Sequence, residues 1–281
     1  NGALGNTTVG HDGLKALTTG DYNVAIGHLA GTSLTTGGSN VAVGKSADYY
    51  NQTGGYNTFV GYEAGVGVST NSHADNVGIG YRALYGITTG ARNVAIGPNS
   101  PGVVITSGAD NVLIGNAAGD AMSTTQNTVI IGSGAGSAIN STDANGTVVI
   151  GKSAGANITD GRYNTVLGFN AFNAATQLDG NTLIGYNAGR ILSGSAEGGW
   201  NTHVGFNAGY GQTAVGYNTS IGAYAGYSNG GNTSVSVGYY AGYANTGHDN
   251  VFVGKSAAQD AGDGGKVYSN VIVGNYAGRY I

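Results

Sequence analysis

Cysteine is absent from this 281-residue chain, so neither a disulfide framework nor a thiolate metal site holds it together. Proline occurs only twice and no Gly-x-y triplet recurs, which excludes collagen-like and polyproline structure. Charge is scarce at 9% of residues, and the ten Lys and Arg are scattered. With a net charge of −4, that distribution argues against a nucleic-acid partner, because phosphate binding needs clustered cations. No run of eighteen apolar residues exists, and no charged segment precedes an apolar one at the start. Neither membrane insertion nor a signal peptide is expected.

What is abundant is glycine, at 55 residues, together with 40% hydrophobic residues. That apolar content separates the chain from a disordered glycine-rich polymer and predicts order. The order is periodic. An aliphatic-Gly pair recurs with its glycine at 10, 27, 44, 61, 80, 97, 115, 132, 151, 168, 185, 205, 222, 238, 254 and 274, a spacing of 16 to 20 and most often 17. These anchor glycines define about sixteen coils of roughly seventeen residues, and 1–281 is expected to form one continuous all-β parallel solenoid. Sixteen coils stacked at ~4.8 Å would rise about 75 Å. Because the chain starts and stops inside repeats, it is expected to be a segment of a longer fibre.

Val, Ile or Leu precedes every anchor, and Val or Thr stands three before it. Two residues apart in a strand, these positions share one face, and their constant aliphatic character predicts that this face is the interior. The residue between them varies from Ala25 to Phe59, His203 and Ser236, so it is expected to face outward. Four before the anchor, thirteen coils carry Asn, including Asn23, Asn40, Asn57, Asn76, Asn93, Asn164, Asn181 and Asn250. Stacked one coil apart, such amides can form a hydrogen-bonded ladder, or simply suit a corner. Three after the anchor Ala occurs in fourteen coils, followed by Gly in ten, which fits a tight corner with positive φ. One thin coil cannot fold alone, so neighbouring coils, and further burial against sister chains, are expected to supply the rest.

No catalytic constellation is evident: the five histidines are scattered, and fourteen acidic residues stand mostly alone, Asp260 and Asp263 being the closest pair. No enzyme activity and no cofactor are expected, with a polysaccharide-degrading β-helix as the enzymatic rival. His11 and His28 share the position after the anchor in adjacent coils, as a weak metal candidate or two surface imidazoles. Tyr62, Tyr81, Phe169, Tyr186, Phe206 and Tyr239 occupy the same column, an aromatic stripe suited to a subunit seam or to stacking on sugar rings. The longer coils must expel loops at 66–75, 137–145, 190–200 and 259–269; Trp200, Arg190 and Glu197 form the candidate ligand patch there, Trp200 capping a coil edge being the alternative. Paired threonines such as Thr18-Thr19 and Thr35-Thr36 raise an ice-binding solenoid as another rival, but adjacent residues alternate sides, which would turn one of each pair inward.

The recurring Asn-Thr/Val-x-Ile/Val-Gly-x-x-Ala-Gly string resembles the repeats of bacteriophage tail fibres over nearly the whole chain. Asn23-Val24-Ala25-Ile26-Gly27 and Asn93-Val94-Ala95-Ile96-Gly97 are also similar to the strand motif of trimeric autotransporter adhesin heads. The resemblance implies a left-handed β-roll, a homotrimer, a place on a virion tail fibre or other extracellular surface, and a host polysaccharide or protein receptor as partner. The coil here is longer than in adhesin heads, and no coiled-coil stalk or outer-membrane anchor is present in this sequence, which ranks the fibre above the bacterial surface adhesin.

Overall fold

The computed structural model describes residues 2–68, 72–99, 101–174, 176–192, 199–212, 216–228, 230–260 and 267–279. It is an all-β parallel solenoid in which each coil contributes one three-residue strand. The chain divides into two compact units, Asn1–Asn145 and Gly146–Ile281.

The first unit holds β1 (Thr7–Val9), β2 (Val24–Ile26), β3 (Val41–Val43), β4 (Thr58–Val60), β5 (Val77–Ile79), β6 (Val94–Ile96), β7 (Val112–Ile114) and β8 (Val129–Ile131), with a 3-10 turn at Thr142–Ala144. Each strand pairs in parallel with the next, in register, so Ile26, Val43 and Val60 lie in one column. The second unit repeats the plan with β9 (Val148–Ile150), β10 (Thr165–Leu167), β11 (Thr182–Ile184), β12 (Thr202–Val204), β13 (Thr219–Ile221), β14 (Val235–Val237), β15 (Val251–Val253) and β16 (Val271–Val273). The turns are laddered too: Ser46 N–H donates to the His28 carbonyl and Asp48 N–H to that of Ala64, both at 2.9 Å. Hydrogen bonding from coil to coil thus runs around the perimeter, which is how three-residue strands persist.

The columns stack as the periodicity requires, but their faces are reversed from the sequence expectation. From β2 to β15 the central residue of each strand is buried, while the flanking Val, Thr, Ile and Leu are half-buried or exposed. Ala95 is 0% exposed and Leu167 is 44% exposed. The varied column is the interior because a thin coil fits its filling to its neighbours. Phe59 occupies the room left by Gly65 and by Gly78, where a Cβ would run into the Phe59 ring. Outside, uniform Val and Ile suit the pleated surface and pack on one another along the ladder.

Two further columns complete the core. Ala30, Ala47 and Ala64, three past their anchors, are fully buried. So are Ile87, Met122, Ile139 and Ile158, seven past theirs. The anchor itself must be glycine: Gly27 has φ +135°, and a Cβ there would stand 2.5 Å from the Gly44 carbonyl oxygen.

The asparagines form a continuous inner ladder within the first unit. Asn23 Oδ1 accepts from the Asn40 backbone N–H at 3.0 Å and from its Nδ2 at 3.1 Å, while Asn40 Nδ2 also donates to the Gly54 carbonyl. Asn57, Asn76, Asn93 and Asn111 repeat the pattern, and Thr128 substitutes its hydroxyl. In the second unit Asn164 passes the same bonds to Asn181, Asn181 to Asn201, and Asn250 to Asn270. These amides satisfy buried corner backbone that no strand reaches.

Candidate functional site

The residue after each anchor projects outward, so like side chains stack one coil apart. Tyr62 and Tyr81 lie parallel, with ring centroids 5.5 Å apart, and Phe169, Tyr186 and Phe206 continue at 5.5 and 5.0 Å. All five are exposed. The His11 and His28 rings lie 5.7 Å apart and tilted by 32°, with Asp12 3.5 Å from His11. Among the described residues no group of three or more His, Cys, Asp or Glu is placed to hold a metal ion.

A second aromatic feature was not anticipated. Tyr210, Tyr227 and Tyr243 stack at 4.9 Å intervals, and Tyr224 stacks on Tyr240 at 4.7 Å, with Tyr239 edge-on to Tyr240. Burial within this cluster pushes the Tyr227 and Tyr240 hydroxyls above their usual titration range, with neighbouring tyrosines adding to it. The signal was in the sequence as Tyr recurring five and six past anchors, at Tyr49, Tyr50, Tyr85, Tyr210, Tyr227 and Tyr243.

Of the proposed loop patch, Arg190 and Trp200 are among the described residues. Arg190 donates to the Tyr210 hydroxyl at 3.1 Å and lies over that ring, which ties it to the tyrosine cluster. Trp200 is 54% exposed, and its ring covers Gly180, where any Cβ would strike it; it caps a coil edge. Glu197 lies outside the described residues, as does Asp263. The threonine pairs also differ from expectation: Thr18 and Thr19 are both exposed, and neither turns inward. Thr18 and Thr35 give their hydroxyls to backbone carbonyls of the next coil, at 3.0 and 2.9 Å, so these groups serve the stack.

A cleft of about 170 Å³ in the first unit is lined by Ser46, Tyr49, Tyr50, Glu63, Val66 and Tyr85. Tyr49 and Tyr50 meet edge-on at 4.5 Å. Glu63 Oε2 accepts from Arg82 Nε at 2.7 Å, and the Arg82 guanidinium lies 4.9 Å from the Tyr85 ring centre and 5.3 Å from that of Tyr81. The Glu63 hydrogen bond raises the Arg82 pKa, so this cation is permanent.

Beneath the cleft the core turns polar. Asp48 stands four past its anchor, where ten coils have Gly, and adopts φ +54°. Its carboxylate accepts from His73 Nε2 at 2.9 Å and from Asn51 Nδ2 at 3.2 Å, with Asp48 and His73 each 1% exposed. Phe59 meets the His73 ring edge-on at 5.4 Å. Sequence reasoning treated 66–75 as an expelled loop; in the structure His73 returns from it into the core.

Among the described residues no helix is long and apolar enough to cross a membrane. Comparison with protein-family models, with curated proteins and with solved structures returns no match.

Proposed function

We propose that this chain is a structural and adhesive segment of an extracellular fibre of the phage tail-fibre kind, assembled as a homotrimer and contributing to recognition of host-surface glycan. The observation that carries the reading is the outer face of the strands. Ile26, Ile79, Leu167 and Ile221 are 38–44% exposed, and the Val and Ile at the same position in the coils between them are half-buried. A surface of that apolar regularity is the kind that identical chains cover in one another, since a partner with the same period meets it in register. The exposed aromatic columns beside it supply contact area at little entropic cost, which suits sugar rings presented in many copies.

Light scattering and sedimentation of the purified chain test the assembly: three chains per particle are expected. A single-chain mass at micromolar concentration would remove the trimer and with it the fibre assignment.

A further inference from the structure

We propose that the cleft formed by Tyr49, Tyr50, Tyr85 and Glu63 binds one neutral sugar ring of a surface glycan. This rests on the glycan-recognition part of the reading above and assigns it a place distinct from the outward aromatic columns.

Size comes first. About 170 Å³ holds a single pyranose and little else, well below the roughly 300 Å³ at which pockets for drug-sized molecules begin. The chemistry of the lining then narrows the class. Tyr49 and Tyr50 present two faces near a right angle, with an interplanar angle of 77°, so one ring can stack under a ligand while the other closes its edge. Tyrosine gives rigid, amphipathic contact and a hydroxyl at its tip, the combination that suits a molecule apolar on its faces and polar around its rim. Glu63 supplies the acceptor. One carboxylate oxygen is taken by Arg82, and the other is left to accept from ligand hydroxyls in charge-assisted bonds. Because Arg82 already balances Glu63, the cleft gains nothing from a net charge on its ligand. Lone carboxylate and lone guanidinium, paired with each other, serve neither a metal ion nor a phosphate well.

Preorganisation is the second line of support, and the buried Asp48–His73 pair beneath the cleft carries it. Two consecutive coils depart from the repeat where the cleft forms. Asp48 replaces the corner glycine in a left-handed conformation, Asn51 replaces the aliphatic residue of the inner column, and His73 is folded in from an extended coil. Asp48 immediately precedes Tyr49 and bonds Asn51, and Asn51, just after Tyr50, bonds the Gly54 N–H and carbonyl, so the backbone is held on either side of the tyrosine pair. Tyr50 N–H donates to the Val66 carbonyl and Gly67 N–H to the Tyr85 carbonyl, both at 2.9 Å, which ties the cleft walls to one another. A buried carboxylate, imidazole and amide are an expensive way to make a corner that Gly and Leu make elsewhere. A buried carboxylate–imidazole pair directly under the cleft holds its floor in one geometry, which lowers the ordering cost of binding.

The test uses the whole chain and a panel of neutral methyl pyranosides of glucose, galactose, mannose and N-acetylglucosamine, with their short oligosaccharides. Saturation-transfer NMR finds the binder and titration gives its Kd, expected on the order of millimolar for so small a contact. Tyr85→Ala and Glu63→Gln should each weaken it about tenfold, and Tyr85→Phe, which keeps the ring, by no more than about threefold. Circular dichroism melting of each variant verifies that the fold is intact. Tyr217→Ala, an exposed ring outside both aromatic features, should leave Kd unchanged. Binding that persists in Tyr85→Ala and Glu63→Gln but falls in Tyr186→Ala, in the outward column, would overturn this site while sparing glycan recognition. No saturable binding of any sugar would overturn both.

Discussion

The coils around β7 and β8 and those around β12 to β14 share one backbone plan and fill it with opposite chemistry. In the first group Leu113 and Ile130 point inward against Ile105, Met122 and Ile139, all fully buried. In the second the same slots hold His203, Ser220 and Ser236, with Gln212 and Asn245 in the aliphatic column seven past the anchor. Among the described residues both His203 ring nitrogens, Gln212 Oε1, Asn218 Nδ2 and Ser236 Oγ lack hydrogen-bond partners. The ladder of backbone bonds therefore specifies the coil, while the filling only sets how firmly each coil is held. The polar group is also where the six-tyrosine cluster lies outside.

The largest contrast should come with acid. Burial lowers the His203 pKa from 6.5 to about 3, so the folded state holds this ring neutral. Above pH 6.5 it is neutral folded or unfolded and costs nothing through protonation. As pH falls from 6.5 toward 3 the unfolded chain takes up the proton first, and stability is lost at up to about 1.4 kcal/mol per pH unit. Hydrogen exchange across a pH series should show the β12–β14 coils opening before those of β7 and β8, and His203→Leu should abolish that slope.

Truncation gives the next effect. Leu113→Ala should cost about 2–5 kcal/mol in denaturant melts, whereas Ser236→Ala, which deletes an unpartnered hydroxyl, should be neutral or slightly stabilising. Smaller still is the difference along the amide ladder. Asn111→Ala strands partners on both sides and should cost about 1–3 kcal/mol. Asn218→Ala, whose Nδ2 already lacks a partner, should cost less by about 1 kcal/mol in the same measurement.

Coil length, coil number, parallel stacking and the asparagine column were all legible in the sequence, because each follows from a residue type recurring at a fixed interval. The direction of the strand faces was not. Constancy at Ile26 and Val43 suggested burial and variation at Ala25, Ala42 and Phe59 suggested exposure, but inside a narrow coil the sizes of successive residues trade against one another, as Phe59 does with Gly78. The inward column seven past the anchor was readable at Leu34, Ile87, Met122, Ile139 and Ile158, yet Asn51 and Gln212 interrupt it. The cleft was not legible, because its parts come from three coils and its most telling residues, Asp48 and His73, are 25 positions apart.

A pair of aspartate substitutions in β10 tests the reversed faces most directly. Val166 is fully buried and its neighbour Leu167 is exposed. Val166→Asp should abolish the cooperative melt and the β-sheet circular dichroism, because a lone carboxylate cannot be accommodated inside the coil. Leu167→Asp should retain both and, if the proposed trimer forms through this face, lower the mass in solution to that of a single chain. A folded Val166→Asp beside an unfolded Leu167→Asp would contradict the account.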